Sequence, residues 1–282
     1  MKTGPSGAVA FAVGEAAKLP AFVRRDLLVA LSYRTAFAGD ILGLLSQGLL
    51  FYFLGKMIAP DSVPEYGGET TSYLAFAAIG VAVGVYLQFA LTRVAAAIRQ
   101  EQLQGTLESM LSTPTAPGTI QLGLVVFDLL YVPVRTFAFL AAMALLFDLG
   151  FDPAGILPAL VCLIALTPFV WGLGVLGAAV ILVVRRGAGV AALVGGLVAL
   201  ASGAYVPVDV LPEAVQQVAE WNPIAVALES MRSSLLAQPD WAETLGDVAR
   251  ILPFSALALL AGMVGFRIAL RHERVRGTLG IY

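Results

Sequence analysis

The stretch from Ile156 to Val184, ILPALVCLIALTPFVWGLGVLGAAVILVV, contains no charged and no amide side chain. A hydrocarbon core about 30 Å thick needs roughly 20 helical residues, so this run is long enough to cross one with tilt to spare. Lipid offers no partner to a backbone N–H or C=O, and the segment must therefore close its hydrogen bonds internally as a helix. A spanning barrel would show alternating segments of about ten residues, which are absent. Outward from this run lie comparable ones at Phe37 to Ile58, Tyr73 to Ile98 and Thr119 to Phe147 on one side, and at Val190 to Tyr205 and Ile251 to Leu270 on the other. The shortest gains Ala188 and Gly189 at its start. The expected fold class is an all-α membrane protein with six transmembrane helices.

Composition agrees. Of the 282 residues 59% are hydrophobic and 13% charged, against roughly 45–50% and about 25% in soluble domains. The mean hydropathy is +0.87 and the pI is near 5.5. A net charge of −2 gives no basic face for nucleic acid. Cys162 is the single cysteine, so the chain builds neither an internal disulfide nor a cysteine metal site. His272 is the single histidine and sits in a basic tail, which speaks against a Ser-His intramembrane protease and a histidine-ligated metal. No G-x-x-x-x-G-K-[ST] occurs: Gly55-Lys56 lacks the earlier glycine and is followed by Met57. Any nucleotide-driven work falls to another polypeptide.

Charge placement orients the spans. Lys2, Lys18, Arg24, Arg25 and Arg34 precede the first. Arg93 and Arg99 fall between the second and third, Arg185 and Arg186 between the fourth and fifth, and Arg267, Arg271, Arg274 and Arg276 at the end, which puts 13 of the 17 basic residues on one side. Opposite them stand Asp61, Glu65, Glu69, Asp148, Asp152, Asp209, Glu213, Glu220, Glu229, Asp240, Glu243 and Asp247. Lys and Arg near span ends are retained in the cytoplasm. The expected location is the cell membrane, with both termini cytoplasmic.

Three further segments are patterned. Residues 1–18 read as a cytoplasmic tail without a leader peptide, ahead of a single membrane domain over 19–282. Pro20 opens an expected interfacial helix over Phe22 to Tyr33, with Val23, Leu27 and Leu31 on one face and Arg24 and Arg25 largely on another. Between Gln100 and Pro117, Leu103, Leu107, Met110 and Leu111 recur at helical spacing opposite Glu101, Gln104, Glu108 and Ser112 until Pro114, predicting a short amphipathic cytoplasmic helix. On the outer side Pro207, Pro212 and Pro223 divide Tyr205 to Leu236 into helical pieces at Glu213 to Trp221 and Ile224 to Leu236. Both are too short and charged to span, and they fit re-entrant or interfacial helices with Trp221 and Trp241 at headgroup level.

Asp40, Asp128 and Arg135 lie within apolar runs. A charge at mid-membrane costs about 2.5–3.5 kcal/mol on insertion scales, so each is expected to face the bundle interior, water or a partner. Seven residues at 100° each put Asp128 and Arg135 on nearly one face, about 10 Å apart, too far for a direct bridge. Pairing with other helices, or headgroup depth for Asp40, is the expectation; a proton relay is the functional alternative. Gly172, Gly174, Gly177, Gly187, Gly189, Gly195, Gly196 and Gly203 predict close helix contacts in spans four and five. Phe51-Tyr52-Phe53 reads as an outer aromatic belt.

Taken in order, the helix ahead of six spans, the GTLESMLSTP core after span two, and the outer P-x-x-x-L-P…N-P…R at Pro207, Leu211, Pro212, Asn222, Pro223 and Arg232 resemble the permease subunits of ATP-binding-cassette type-2 exporters. The resemblance implies a permease that dimerises and binds two copies of a cytoplasmic ATPase subunit, with ATP and Mg held by that partner and no cofactor on this chain. It makes the loop after span two a coupling helix, with Glu101, Gly105, Thr106, Leu107, Glu108 and Met110 as the contact region. It also implies re-entrant helices before the last span, no catalytic residue and no metal. The runner-up is an ion- or proton-coupled carrier using Asp128 and Arg135, for which the chain lacks a convincing internal repeat.

Overall fold

The computed structural model describes residues 13–32, 34–58, 63–68, 71–103, 105, 109, 112–113, 115, 117–184 and 188–276. Among these the extended elements are all helical: α1 (Leu19–Ser32), α2 (Arg34–Gly55), α3 (Tyr73–Leu103), α4 (Pro117–Phe147), α5 (Ile156–Val184), α6 (Ala188–Ala201), α7 (Glu213–Trp221), α8 (Pro223–Leu236) and α9 (Trp241–Arg276). Single 3-10 turns stand at Pro153–Gly155 and Val208–Val210. Four segments are long and apolar enough to cross a membrane: Tyr73–Val94, Val125–Phe147, Pro153–Val180 and Trp241–Ala269. Helices also stand at the two other expected positions, but α2 contributes a shorter apolar segment, Leu45–Gly55, and α6 has 14 residues.

Most boundaries shift by a few residues from the sequence expectation, and the shifts at the start of the last helix and at the end of the second span have a clear cause. The last helix starts at Trp241 rather than Ile251, because Asp240 caps it: its carboxylate accepts from Ala242 N at 2.8 Å, and its carbonyl takes Thr244 Oγ1 at 2.8 Å. Glu243 in the first turn suits the positive end of the helix dipole, so acidic residues read as loop ride on the helix instead. The second span continues as α3 through Gln100 to Leu103 and meets Gly105 at a φ of 69°. That left-handed residue closes α3, so the expected loop helix loses its first turn to α3.

α5 is the centre of the bundle. It packs along α9 on one side and α3 on another, with α8 at one end. Glycines set these distances. A methyl group on Gly172 would collide with the Ala258 backbone of α9, one on Gly262 with the Gly172 carbonyl, and one on Gly174 with the Ala90 carbonyl of α3. Apolar burial gains little between helices already in hydrocarbon, so close backbone approach and interhelical hydrogen bonds hold such a bundle. Ser255 Oγ donates to Ala165 O at 2.8 Å from α9, and Tyr86 Oη to Thr167 Oγ1 at 2.8 Å from α3. The Cys162 thiol lies 3.0 Å from Ser230 Oγ of α8. The span in α3 is 83% buried, whereas those in α4 and α9 are 28% buried, so α3 is an interior helix and the other two are peripheral. Leu130, Val134, Leu145, Leu257, Leu260 and Ile268 project outward, the apolar exterior that a lipid solvent requires.

The aromatic triplet in α2 does not act as one belt. Phe51 is buried against the Tyr205 ring, 5.5 Å away and nearly parallel, and Tyr52 packs on Phe147. Phe53 alone of the three is exposed, since successive helical residues point 100° apart.

Segments that charge placement assigns to one side do meet. Lys18 Nζ donates to Thr115 Oγ1 at 3.2 Å, Tyr66 Oη to Glu229 Oε2 at 3.0 Å, and Asp152 N to Leu235 O at 2.8 Å. The glycine contacts carry a direct test. Gly172→Ala is expected to lower the thermal stability of the detergent-purified protein, at a cost of about 1–3 kcal/mol for forced overpacking. Gly196→Ala, where nothing lies within 4 Å, is expected to leave the melting transition in place.

Candidate functional site

At one end of the bundle α6 stops at Ala201, and Gly203 turns the chain at a φ of 75° while Ala204 N reaches back to Ala199 O at 3.1 Å. The turn releases the Gly203 and Ala204 carbonyls toward α8. Arg232, 2% exposed, fills the space between them. Its Nη2 donates to Gly203 O at 2.9 Å and Ala204 O at 3.1 Å, lies 3.4 Å from Phe76 O, and its guanidinium sits 3.5 Å above the Phe76 ring. Gly80 permits this approach, because any side chain there would run into Ala204 O. The cation thus joins α8, α3 and the carbonyl end of α6, where a helix dipole favours positive charge.

Two acidic groups attend it. Tyr66 Oη donates to Glu229 Oε2, and both lie close enough to Arg232 to favour its charged form. Burial acts the other way and pushes Arg232 down from its ordinary value to about 10, still charged at neutral pH. Burial first, and then the Glu229 carboxylate, pushes the Tyr66 phenol well above its ordinary value. Tyr66 is therefore a neutral donor under all ordinary conditions.

The outer P-x-x-x-L-P…N-P motif is mainly a set of helix starts. Pro207 precedes the 3-10 turn, Pro212 precedes α7, and Pro223 opens α8, where its missing N–H costs nothing. Asn222 does more. Its Oδ1 caps α8 by accepting from Ile224 N at 3.0 Å, and its Nδ2 donates to Ser202 Oγ at 2.8 Å. Tyr73 Oη donates to Tyr205 O at 3.0 Å. Residues 202–205 are thus held by α2 through Phe51, by α3 through Tyr73 and Phe76, and by the α7–α8 pair through Asn222 and Arg232.

Toward the other end of α3, Asp128 of α4 is paired with Arg93 of α3 at 2.5 Å, the carboxylate side chain 7% exposed and the guanidinium 31%. The span-three acid is thereby matched to another helix, not to Arg135. Arg135 borders a cavity of about 10 Å³ with Tyr86, Phe89, Thr136 and Phe139, room for about one water. α1 packs on α4, its Phe22 ring lying where Gly123 carries no side chain. Arg25 Nε donates to Asp26 Oδ1 at 2.8 Å and stands 5.6 Å over the Phe22 ring, while Arg24 faces outward. Of the expected coupling residues, Glu101 falls in the last turn of α3 and Gly105 in the turn after it; Thr106, Leu107, Glu108 and Met110 lie outside the described residues, as do the side chains of Glu101 and Asp40. No group of three or more metal-ligating side chains occurs among the described residues.

The sequence points to Arg232 and Asn222 without their partners: Glu229 enters only as one of the acids opposite the basic side and Tyr73 only as the start of a span, and nothing in it singles out Tyr66, Phe76 or Gly80. One signal was available: Arg232 lies four residues after Leu228 and three before Leu235, on the same face as two leucines that are both buried. Nothing local connects it to Phe76. Arg232→Met is expected to lower apparent stability in detergent by on the order of 3 kcal/mol, since hydrogen bonds to a charged group are lost. Arg232→Lys should recover part of that loss, because a compact ammonium cannot reach all of these groups as a planar guanidinium does. Equal melting of wild type and Arg232→Met would show that the clamp carries no stability.

Comparison with known proteins bears on both ends. Residues 20–236 match the family described as ABC-2 type transporter, a range that runs from the start of α1 to the end of α8. No curated protein matches the chain.

Proposed function

The chain belongs to the ABC-2 type transporter family, and from that premise we propose that it is the transmembrane subunit of an ATP-binding-cassette exporter, moving its substrate out of the cytoplasm or the inner leaflet. Membership makes it a membrane permease of an ATP-binding-cassette system. The finer reading has two copies of an ATPase subunit, which hold ATP and Mg, docking on a dimer of this chain. The chain crosses the cell membrane six times with both termini cytoplasmic, α2 and α6 completing the count begun by the four long apolar segments.

The observation that carries this reading is the match over α1 to α8 in a chain without a nucleotide-binding motif of its own. The arrangement at the two ends supports it. On the inner side the α3–α4 connection, read as the coupling helix, is tied through Thr115 to Lys18 just ahead of α1. A push on this connection passes to α3 and α4, which the Arg93–Asp128 pair joins. On the outer side the α7–α8 pair, read as re-entrant, grips the end of α6. Alternating access would then require an inner displacement to pass along α3 to the outer clamp and its one buried cation, Arg232. The engagement of Asp128 by Arg93 favours a structural role over proton relay.

Glu108→Lys is expected to reduce co-purification of the ATPase subunit, or substrate-stimulated ATP hydrolysis by the reconstituted pair, while membrane insertion stays intact. Unchanged association and unchanged stimulation would count against the coupling role. Transport by this chain alone in liposomes, driven by a pH gradient without ATP, would replace the exporter with the secondary carrier.

A further inference from the structure

Residues 13–16 form a helical turn, Ala17 and Lys18 form a turn, and α1 begins at Leu19. The elbow encloses an open groove of about 510 Å³ lined by Ala16, Leu19, Pro20, Val23, Arg24 and Leu27. Contrary to the expectation that Arg24 and Arg25 lie across from the apolar face, Arg24 lines the groove with Val23 and Leu27: at 100° per residue Pro20, Val23, Arg24, Leu27 and Leu31 share one sector of α1, while Phe22, Arg25 and Asp26 fall outside it, Phe22 toward α4. Leu27 and Leu31 are 44% and 59% exposed, so this face has no protein cover among the described residues.

The charges along the segment are not equivalent. Lys18 is paired with Glu15 at 2.6 Å, and Arg25 with Asp26 at 2.8 Å. Arg24 has no hydrogen-bond or ion-pair partner among the described residues, and it is the one charged side chain in the lining of the groove. An open apolar groove with one guanidinium in its wall, between Val23 and Leu27, matches a molecule with a hydrocarbon tail and a phosphate head, and Arg is suited to holding phosphate in two-pronged fashion. No carboxylate lines the groove, so nothing there would hold the ammonium of a zwitterionic headgroup.

We propose that the elbow ahead of α1 is a binding site for an acidic phospholipid, its phosphate on Arg24 and its acyl chain along Leu19, Val23 and Leu27. The site is independent of the direction of transport and of the ATPase partner. Acidic surface lipids attract basic segments in general, but here a single arginine sets the preference and its neighbour does not.

The test uses the full-length chain, purified and stripped of lipid, then equilibrated with equal amounts of phosphatidylglycerol and phosphatidylcholine of identical acyl chains; native mass spectrometry reads the bound lipid. Wild type is expected to retain phosphatidylglycerol several-fold over phosphatidylcholine. Arg24→Gln should bring the two to near parity, Arg24→Lys should keep part of the preference, and Arg25→Gln should leave it unchanged. Leu27→Gln should weaken retention of both lipids alike. Glycerol 3-phosphate should fail to displace the lipid; displacement at equal concentration would make this a phosphate site and remove the role of the groove. An unaltered preference in Arg24→Gln, or equal losses in the Arg24 and Arg25 variants, would overturn the proposal. So would lipid retention untouched by Arg24→Gln together with lost co-purification of a nucleotide-binding subunit, which would give this face to a protein.

Discussion

Hydrocarbon offers no hydrogen-bond partner to a polar group, so the chain has to supply most partners for its buried donors, acceptors and charges itself. That constraint accounts for more of the structure than apolar attraction does. It turns the long apolar runs into helices and places Arg93 opposite Asp128. It directs the Arg232 guanidinium onto carbonyls that the Gly203 turn has freed. Serine and threonine hydroxyls follow the same rule: Thr136, Thr167 and Ser202 bond to carbonyls four residues back, and Ser255 crosses from α9 to α5.

Middle and ends of the bundle solve the constraint differently. In the middle, shape decides. α5 meets α9 and α3 where Gly172, Gly174 and Gly262 let backbones approach, and the polar contacts are few. At the ends, where loops expose carbonyls and charges, specific polar contacts decide. The outer end of α6 is held from four helices by one arginine, one asparagine and a set of aromatic rings. The bundle is thus joined by shape in the middle and by a few polar links at each end.

Legibility in the sequence followed the range of the interaction. The apolar runs, the Pro212 and Pro223 helix starts and the helix ahead of the first run are local patterns, and a helix stands at each of those places. α9 was read short because charge content marked Trp241 to Asp247 as loop, whereas Asp240 and Glu243 are the residues that start a helix. The aromatic triplet in α2 was read as one belt because its residues are adjacent, yet adjacency in a helix sends side chains to different faces. The partners of Arg232 were illegible, since Phe76 and Tyr66 lie more than a hundred residues away and their meeting depends on how α3 passes α8.

The sequence by itself determined a helical membrane protein, the clustering of its basic and acidic residues between different runs and the absence of a P-loop motif, because hydrophobicity, charge and short motifs are properties of segments. Only the tertiary structure decided which charge meets which acceptor. Asp128 took Arg93 rather than Arg135, Arg232 took three backbone carbonyls rather than a carboxylate within bonding distance, and Arg24 was left facing an apolar groove. Those choices come from the angles at which helices cross and from the glycines that fix their separation, and neither is written in any single segment.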